Sequence, residues 1–144
     1  MLPNITYLNI CNGNILPSLQ GYDAVYICGG NTYYILDRIR KTGLDSSIKK
    51  FVRKGGLYIG VSAGSIIAGE NIEIAGWGTE GDINDINLKD LRGLGFTKIA
   101  VFPNYKSKLK SEVEEFRSNV AYPVESIKDK EAIIILGKNL RKFL

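Results

Sequence analysis

Short apolar runs alternate along the chain with stretches in which apolar residues recur every three or four positions. That alternation predicts strands and helices in turn, the mark of an α/β domain with a parallel sheet. Thr6-Tyr7-Leu8-Asn9-Ile10 reads as a short first strand, followed by a turn rich in Asn and Gly. Ala24-Val25-Tyr26-Ile27-Cys28 is apolar without a break, as expected of a central strand buried on both faces. Gly29-Gly30 ends it, and Asn31 suits the N-cap of a helix running through Tyr34, Leu36 and Ile39 to Lys41. Gly43 is placed to stop that helix. Asp45 to Lys54 puts Ile48, Phe51 and Val52 on one helical face, and Gly55-Gly56 ends it.

Leu57 to Val61 predicts the next strand, and Ile66-Ile67-Ala68 a buried helix start close behind it. Residues 70–95 are rich in Gly and Asn and predict an irregular loop, with a short strand near Ile72-Glu73-Ile74. Lys98 to Phe102 reads as a strand stopped by Pro103, Lys108 to Val120 as an amphipathic helix, and Ala132 to Leu136 as a last strand. The succession predicts one domain, residues 1–144, with a doubly wound, mostly parallel sheet and helices on both faces.

Composition narrows the chemistry. The 144 residues are 44% hydrophobic and 24% charged, which suits a globular core and excludes a disordered chain. No apolar run approaches the ~20 residues of a membrane span, and Met1-Leu2-Pro3-Asn4 does not open a secretory signal, so a cytoplasmic protein is expected. Cys11 and Cys28 are then expected to be reduced. The net charge is +4, and its excess lies in residues 106–144, which hold nine basic and six acidic side chains. No aromatics interleave with these lysines, so they read as solvated surface and no nucleic-acid partner is expected. The chain has no histidine. This removes the usual general base, the commonest zinc ligand and the usual pH switch together. The carboxylates show no metal-ligand spacing, and Gly29-Gly30-Asn31-Thr32 lacks the full dinucleotide fingerprint. No metal or cofactor is expected.

Two motifs remain. Gly60-Val61-Ser62-Ala63-Gly64 matches G-x-S-x-G between an apolar strand and a helical segment, which is the setting of a nucleophile elbow. In that setting the turn presents the Ser62 hydroxyl, and backbone N–H groups behind it can hold an oxyanion. An ordinary small-residue turn would also fit the bare pattern. Gly29-Gly30-Asn31-Thr32 lies at a second strand-to-helix junction, on the sheet edge where α/β ligands bind. There the Gly30 N–H is a candidate oxyanion donor, against the plainer reading of a helix cap.

Tyr26-Ile27-Cys28-Gly29-Gly30-Asn31-Thr32, Leu36, Gly43-Leu44, Gly55 and Tyr58-Ile59-Gly60-Val61-Ser62-Ala63-Gly64-Ser65 together resemble the dipeptidase E and cyanophycinase family of serine peptidases. The likeness continues through Phe102-Pro103-Asn104-Tyr105, Tyr122-Pro123 and Glu131-Ala132-Ile133. It implies the fold of class I glutamine amidotransferases, and hydrolysis after an N-terminal aspartate or at β-aspartyl linkages. It also implies Ser62 as nucleophile, Gly30 and Ala63 as oxyanion donors, and Asn31 and Thr32 beside the substrate. The family's histidine base falls at Asn104, whose amide accepts no proton near neutral pH. The acidic member falls between serine and base, with Glu80 the first choice and Asp82 the second. Lys106 is an alternative base, but between Tyr105 and Ser107-Lys108 it reads as exposed.

Family members begin with a further strand and helix ahead of the segment that matches Tyr7, so the chain reads as N-terminally shortened. A second copy, forming a homodimer, is the simplest way to cover the strand edge this leaves. The expected activity is therefore an impaired serine dipeptidase acting on small peptides. The competing expectation is an inactive homologue that binds a small acidic ligand or peptide.

Overall fold

The computed structural model describes residues 4–11, 18–137 and 139–143. The N-terminal tripeptide, most of the Asn/Gly turn after Ile10 and Lys138 lie outside the described residues. The first regular strand is β1, Ala24–Ile27, which pairs in parallel with β2, Leu57–Gly60. Between them run α1, Thr32–Lys41, and α2, Leu44–Arg53. The short helix α3, Ala63–Ile67, follows β2. Strand β3, Ala100–Phe102, pairs in parallel with β4, Val124–Ser126, across α4, Lys110–Asn119. Strands β5, Ala132–Leu136, and β6, Asn139–Phe143, close an antiparallel hairpin.

Local chemistry accounts for these limits. The Asn31 side chain accepts the Tyr34 N–H at 3.0 Å and starts α1, while Arg38, Arg40 and Lys41 lie in its last turn, where cations complement the helix dipole. Gly43, at φ 75°, turns the chain directly into α2. The core gathers under these helices: Leu36, Ile39, Ile48, Ile67, Ile72 and Val113 are each fully buried. Burying side chains of this size is worth roughly 1.5–3 kcal/mol each. Helix α3 packs against β1, β2 and β3 and so joins the two parallel pairs.

Several expectations are corrected. Residues 6–10 form no strand, and Tyr7 is almost fully exposed, so that segment has no ladder to join. Strand β1 is not buried on both faces: Val25 and Ile27 turn inward, while Ala24 and Tyr26 face solvent. Tyrosine serves either side, so an unbroken apolar run did not show which face would be bare. The described strands pair as three two-stranded ladders, two parallel and one antiparallel.

Residues 72–74 belong to a 3-10 turn at Glu73–Gly76 rather than a strand, because Ala75 N–H bonds back to Ile72 O at 2.9 Å. The helix expected from Lys108 begins as a 3-10 turn at Ser107–Leu109. Strands β4 and β6 were not anticipated. The β6 residues were read as a basic surface, yet they pair antiparallel with β5, from Leu136–Asn139 to Ala132–Phe143. Cys11 and Cys28 are free and exposed. Among the described residues no helix is long and apolar enough to cross a membrane.

Candidate active site

Strand β2 delivers Ser62 to the edge of the parallel pair. Val61 N–H donates to Ile27 O at 2.9 Å, which extends the ladder one residue beyond Gly60. The chain then turns sharply, with Ser62 at φ 53° and ψ −117°. A non-glycine residue there is strained by ~1–3 kcal/mol and persists only when its surroundings fix it. Two glycines allow the turn to close. A methyl group on Gly64 would overlap the Ile27 carbonyl, and one on Gly60 would overlap the Gly64 carbonyl. Two side chains then hold it: Ser65 Oγ donates to Ser62 O at 2.6 Å, and Tyr58 Oη donates to Gly64 O at 2.7 Å. Burial pushes the Tyr58 phenol pKa well up, so it remains a donor. The Ser62 side chain makes no capping bond to α3.

The loop after β1 lies against this serine. A Cβ placed on Gly29 would stand 3.2 Å from Ser62 Cβ and 3.5 Å from Ser62 Oγ. Gly30 follows at φ 143°, a conformation side chains rarely adopt. Among the described residues neither the Gly30 nor the Ala63 N–H donates to another protein group. From the other side comes the turn after β3, where Asn104 sits at φ 56°. Its Nδ2 donates to Ser62 Oγ at 3.3 Å. Tyr105 N–H bonds to Ile127 O at 2.9 Å and secures that turn.

Residues 7–143 match the profile of peptidase family S51. The chain belongs to this family. It is 31% identical over 134 residues to an uncharacterised peptidase of Listeria monocytogenes, Lmo0363, covering 89% of this chain and 63% of that protein. It is 31% identical over 93 residues to Peptidase E of Streptomyces coelicolor, covering 65% of this chain and 36% of the relative. The crystal structure of a Listeria monocytogenes EGD-e protein described as a candidate peptidase E superposes with a TM-score of 0.74 at 30% identity, covering 87% of this chain and 61% of that one. The chain thus spans less than two thirds of the length of these relatives.

Within this S51 chain the residues singled out from sequence fall into two groups. Ser62, the Gly29-Gly30 loop, Ala63 and Asn104 converge. The remaining five, Lys106 among them, lie or are paired elsewhere. Glu80 pairs with Lys106 Nζ at 3.3 Å and Lys108 Nζ at 2.5 Å, and these two ammonium groups, Lys108 first, hold its carboxyl below the usual range. Asp82 Oδ2 accepts the Thr32 N–H at 2.8 Å and so caps α1. Neither acid bonds to Asn104 or Ser62 among the described residues. Asn31 spends its amide on Tyr34 N–H and, at 2.8 Å, on Ile83 O, and Thr32 is fully buried. The Asn31 side chain thus ties the loop to Ile83, and the Thr32 hydroxyl is buried with no hydrogen-bond partner among the described residues. Tyr58 was read only as part of the motif that carries the resemblance, with no role assigned; the signal for its role is a phenol at an inward strand position ahead of the serine.

Proposed function

We propose that this chain carries a serine dipeptidase site of the dipeptidase E type in which hydrolysis is severely impaired. In this reading the parallel ladders belong to a doubly wound, amidotransferase-like sheet. Ser62 is the nucleophile, and the N–H groups of Gly30 and Ala63 receive the oxyanion. The substrate is a small peptide with an aspartyl or β-aspartyl linkage, met in the cytoplasm. The observation that carries the impairment is the 3.3 Å contact in which Asn104 Nδ2 donates to Ser62 Oγ. A base must accept the serine proton, and an amide takes up no proton near neutral pH. Loss of a triad member leaves residual catalysis several powers of ten below a complete site. Lys106 does not replace the base, because its ammonium is paired with Glu80 and exposed.

The test is hydrolysis of an Asp-X dipeptide, expected at background. Asn104→His should raise it at least tenfold, since general base catalysis contributes ~10²–10⁴. Rapid hydrolysis by the unaltered chain, or no gain in folded Asn104→His protein, contradicts the reading.

The same contact favours a second reading. With Asn104, Ser62 and two free backbone N–H groups the site offers donors in one place and no base, which suits a small acidic ligand or peptide held without turnover. Calorimetric titration with an Asp-X dipeptide separates the two: binding that survives in Asn104→His protein without any hydrolysis favours the ligand-holding role.

A further inference from the structure

Both faces of the β1–β2 pair are apolar, and only one of them is covered. Val25, Ile27 and Tyr58 pack toward the core. Tyr26, Leu57, Ile59 and Val61 stand on the opposite side, with Tyr26 59% and Leu57 56% exposed. The parallel register sets Tyr26 beside Ile59 and Ala24 beside Leu57, so the bare side chains form one continuous patch. We propose that this patch is a self-association surface, on which a second copy of the chain packs its own β1–β2 face.

Charge and area select the second copy as the occupant. Neither strand carries a charged side chain, although the chain as a whole has a net charge of +4. An acidic partner drawn by that net charge finds no counter-charge on the patch. An identical uncharged face is complementary to it, and apolar, charge-poor surface is what the centre of an interface requires. A two-fold axis brings the same patch to both sides, so no second surface has to exist. At their exposures the four side chains present roughly 400 Å² of mainly apolar surface, a size at which a bare patch marks an interaction site. A stable dimer buries about 800 Å² on each side. Ile5, Tyr7 and Leu8 are exposed as well, and Tyr22 Oη donates to Thr6 Oγ1 at 3.0 Å, which ties their segment down just ahead of β1. They extend the patch toward the area a dimer needs. At its other end the patch reaches the candidate site. Val61 directly precedes Ser62, and Cys28, which follows β1 and is exposed, directly precedes Gly29. A copy seated here therefore also covers that flank of the elbow.

The experiment uses the full chain. Sedimentation under reducing conditions, over a wide range of concentration, is expected to show the mass pass from one chain to two. Leu57→Glu and Tyr26→Lys each set a charge on the patch at an exposed position, and each should hold the protein at the mass of one chain with an unchanged circular dichroism spectrum. Alkylation by iodoacetamide, mapped by peptide mass spectrometry, then locates the face. Cys28 of the unaltered chain should label more slowly as the protein concentration rises, whereas in Leu57→Glu protein its rate should not depend on concentration. The labelling of the unaltered chain stands by itself if either variant fails to fold. A single-chain mass at every concentration would overturn the proposal. So would association that survives both charged variants, or Cys28 labelling in the unaltered chain that is the same at every concentration.

Discussion

Two turns meet at the candidate site, and each holds a non-glycine residue at positive φ. Ser62 lies at 53° after β2, and Asn104 at 56° after β3. Their backbones are alike in hand but not in cost. Asparagine is among the residues that visit positive φ most readily, because its short amide bonds locally. Serine has less to gain, and its ψ of −117° lies outside the left-handed helical well. The first turn is accordingly braced by Gly60, Gly64, Tyr58 and Ser65, while the second leans on two backbone bonds to Ile127, one on each side of the turn, and on the exposed pair of Lys106 with Glu80. Pose and chemistry are therefore separable: both turns present a polar side chain to the same point, and in the proposed reading only Ser62 is suited to the hydrolytic step.

The largest expected effect comes from filling the brace of the first turn. Gly64→Ala puts a methyl group onto the Ile27 carbonyl, a backbone atom that cannot swing aside. A loss of about 2–3 kcal/mol is expected, within the range for overpacking a tight site. Urea melts would show it as a lower midpoint at unchanged slope. An unchanged midpoint would mean that the elbow is looser than its contacts imply.

Next in size are the residues at positive φ. Ser62→Gly relieves the strained serine, and a gain of up to about 1 kcal/mol is expected once the greater freedom of unfolded glycine is offset. Asn104→Gly should stay within about 0.5 kcal/mol of the parent. Equal effects at the two sites would remove the difference in strain on which the comparison rests.

How much of this was legible beforehand follows from the same contrast. The elbow could be read because it is local: strand, Gly-x-Ser-x-Gly and helix lie within a dozen residues, and steric demands choose the glycines. The Asn104 position was legible through the Phe102-Pro103-Asn104-Tyr105 resemblance. Its contact with Ser62, 42 residues away, was not. The uses of Glu80 and Asp82 were hidden for the same reason, since their partners Lys108 and Thr32 lie 28 and 50 residues off and no short-range pattern marks them. The bare face of β1 was illegible in a different way. An apolar run reports that a strand can be covered on both faces, not that a covering element is present.

A smaller effect should follow from Tyr58→Phe, which deletes only the bond to Gly64 O. Leaving that carbonyl without its donor should cost about 1 kcal/mol of stability. An unchanged melt would show that the phenol is a bystander.

The smallest effect belongs to the second turn. Lys106 lies two residues past Asn104, and with Lys108 it holds the Glu80 carboxylate, so this charged tether ties the Asn104 turn to the loop before Asp82. The folded pKa of Glu80 is lowered, which fixes the sign. Its contribution is present above the ordinary glutamate value and is lost as pH falls through the depressed one. The pair is exposed, so the contribution is small and screened by salt. Glu80→Gln should therefore melt slightly below the parent near neutral pH, with the gap closing as the pH drops below ~4 and closing again in high salt. Melting curves of both proteins across that range measure it. A gap that persists at low pH would mean that Glu80 acts through packing rather than charge, and the Asn104 turn would then be held by shape, as the Ser62 turn is.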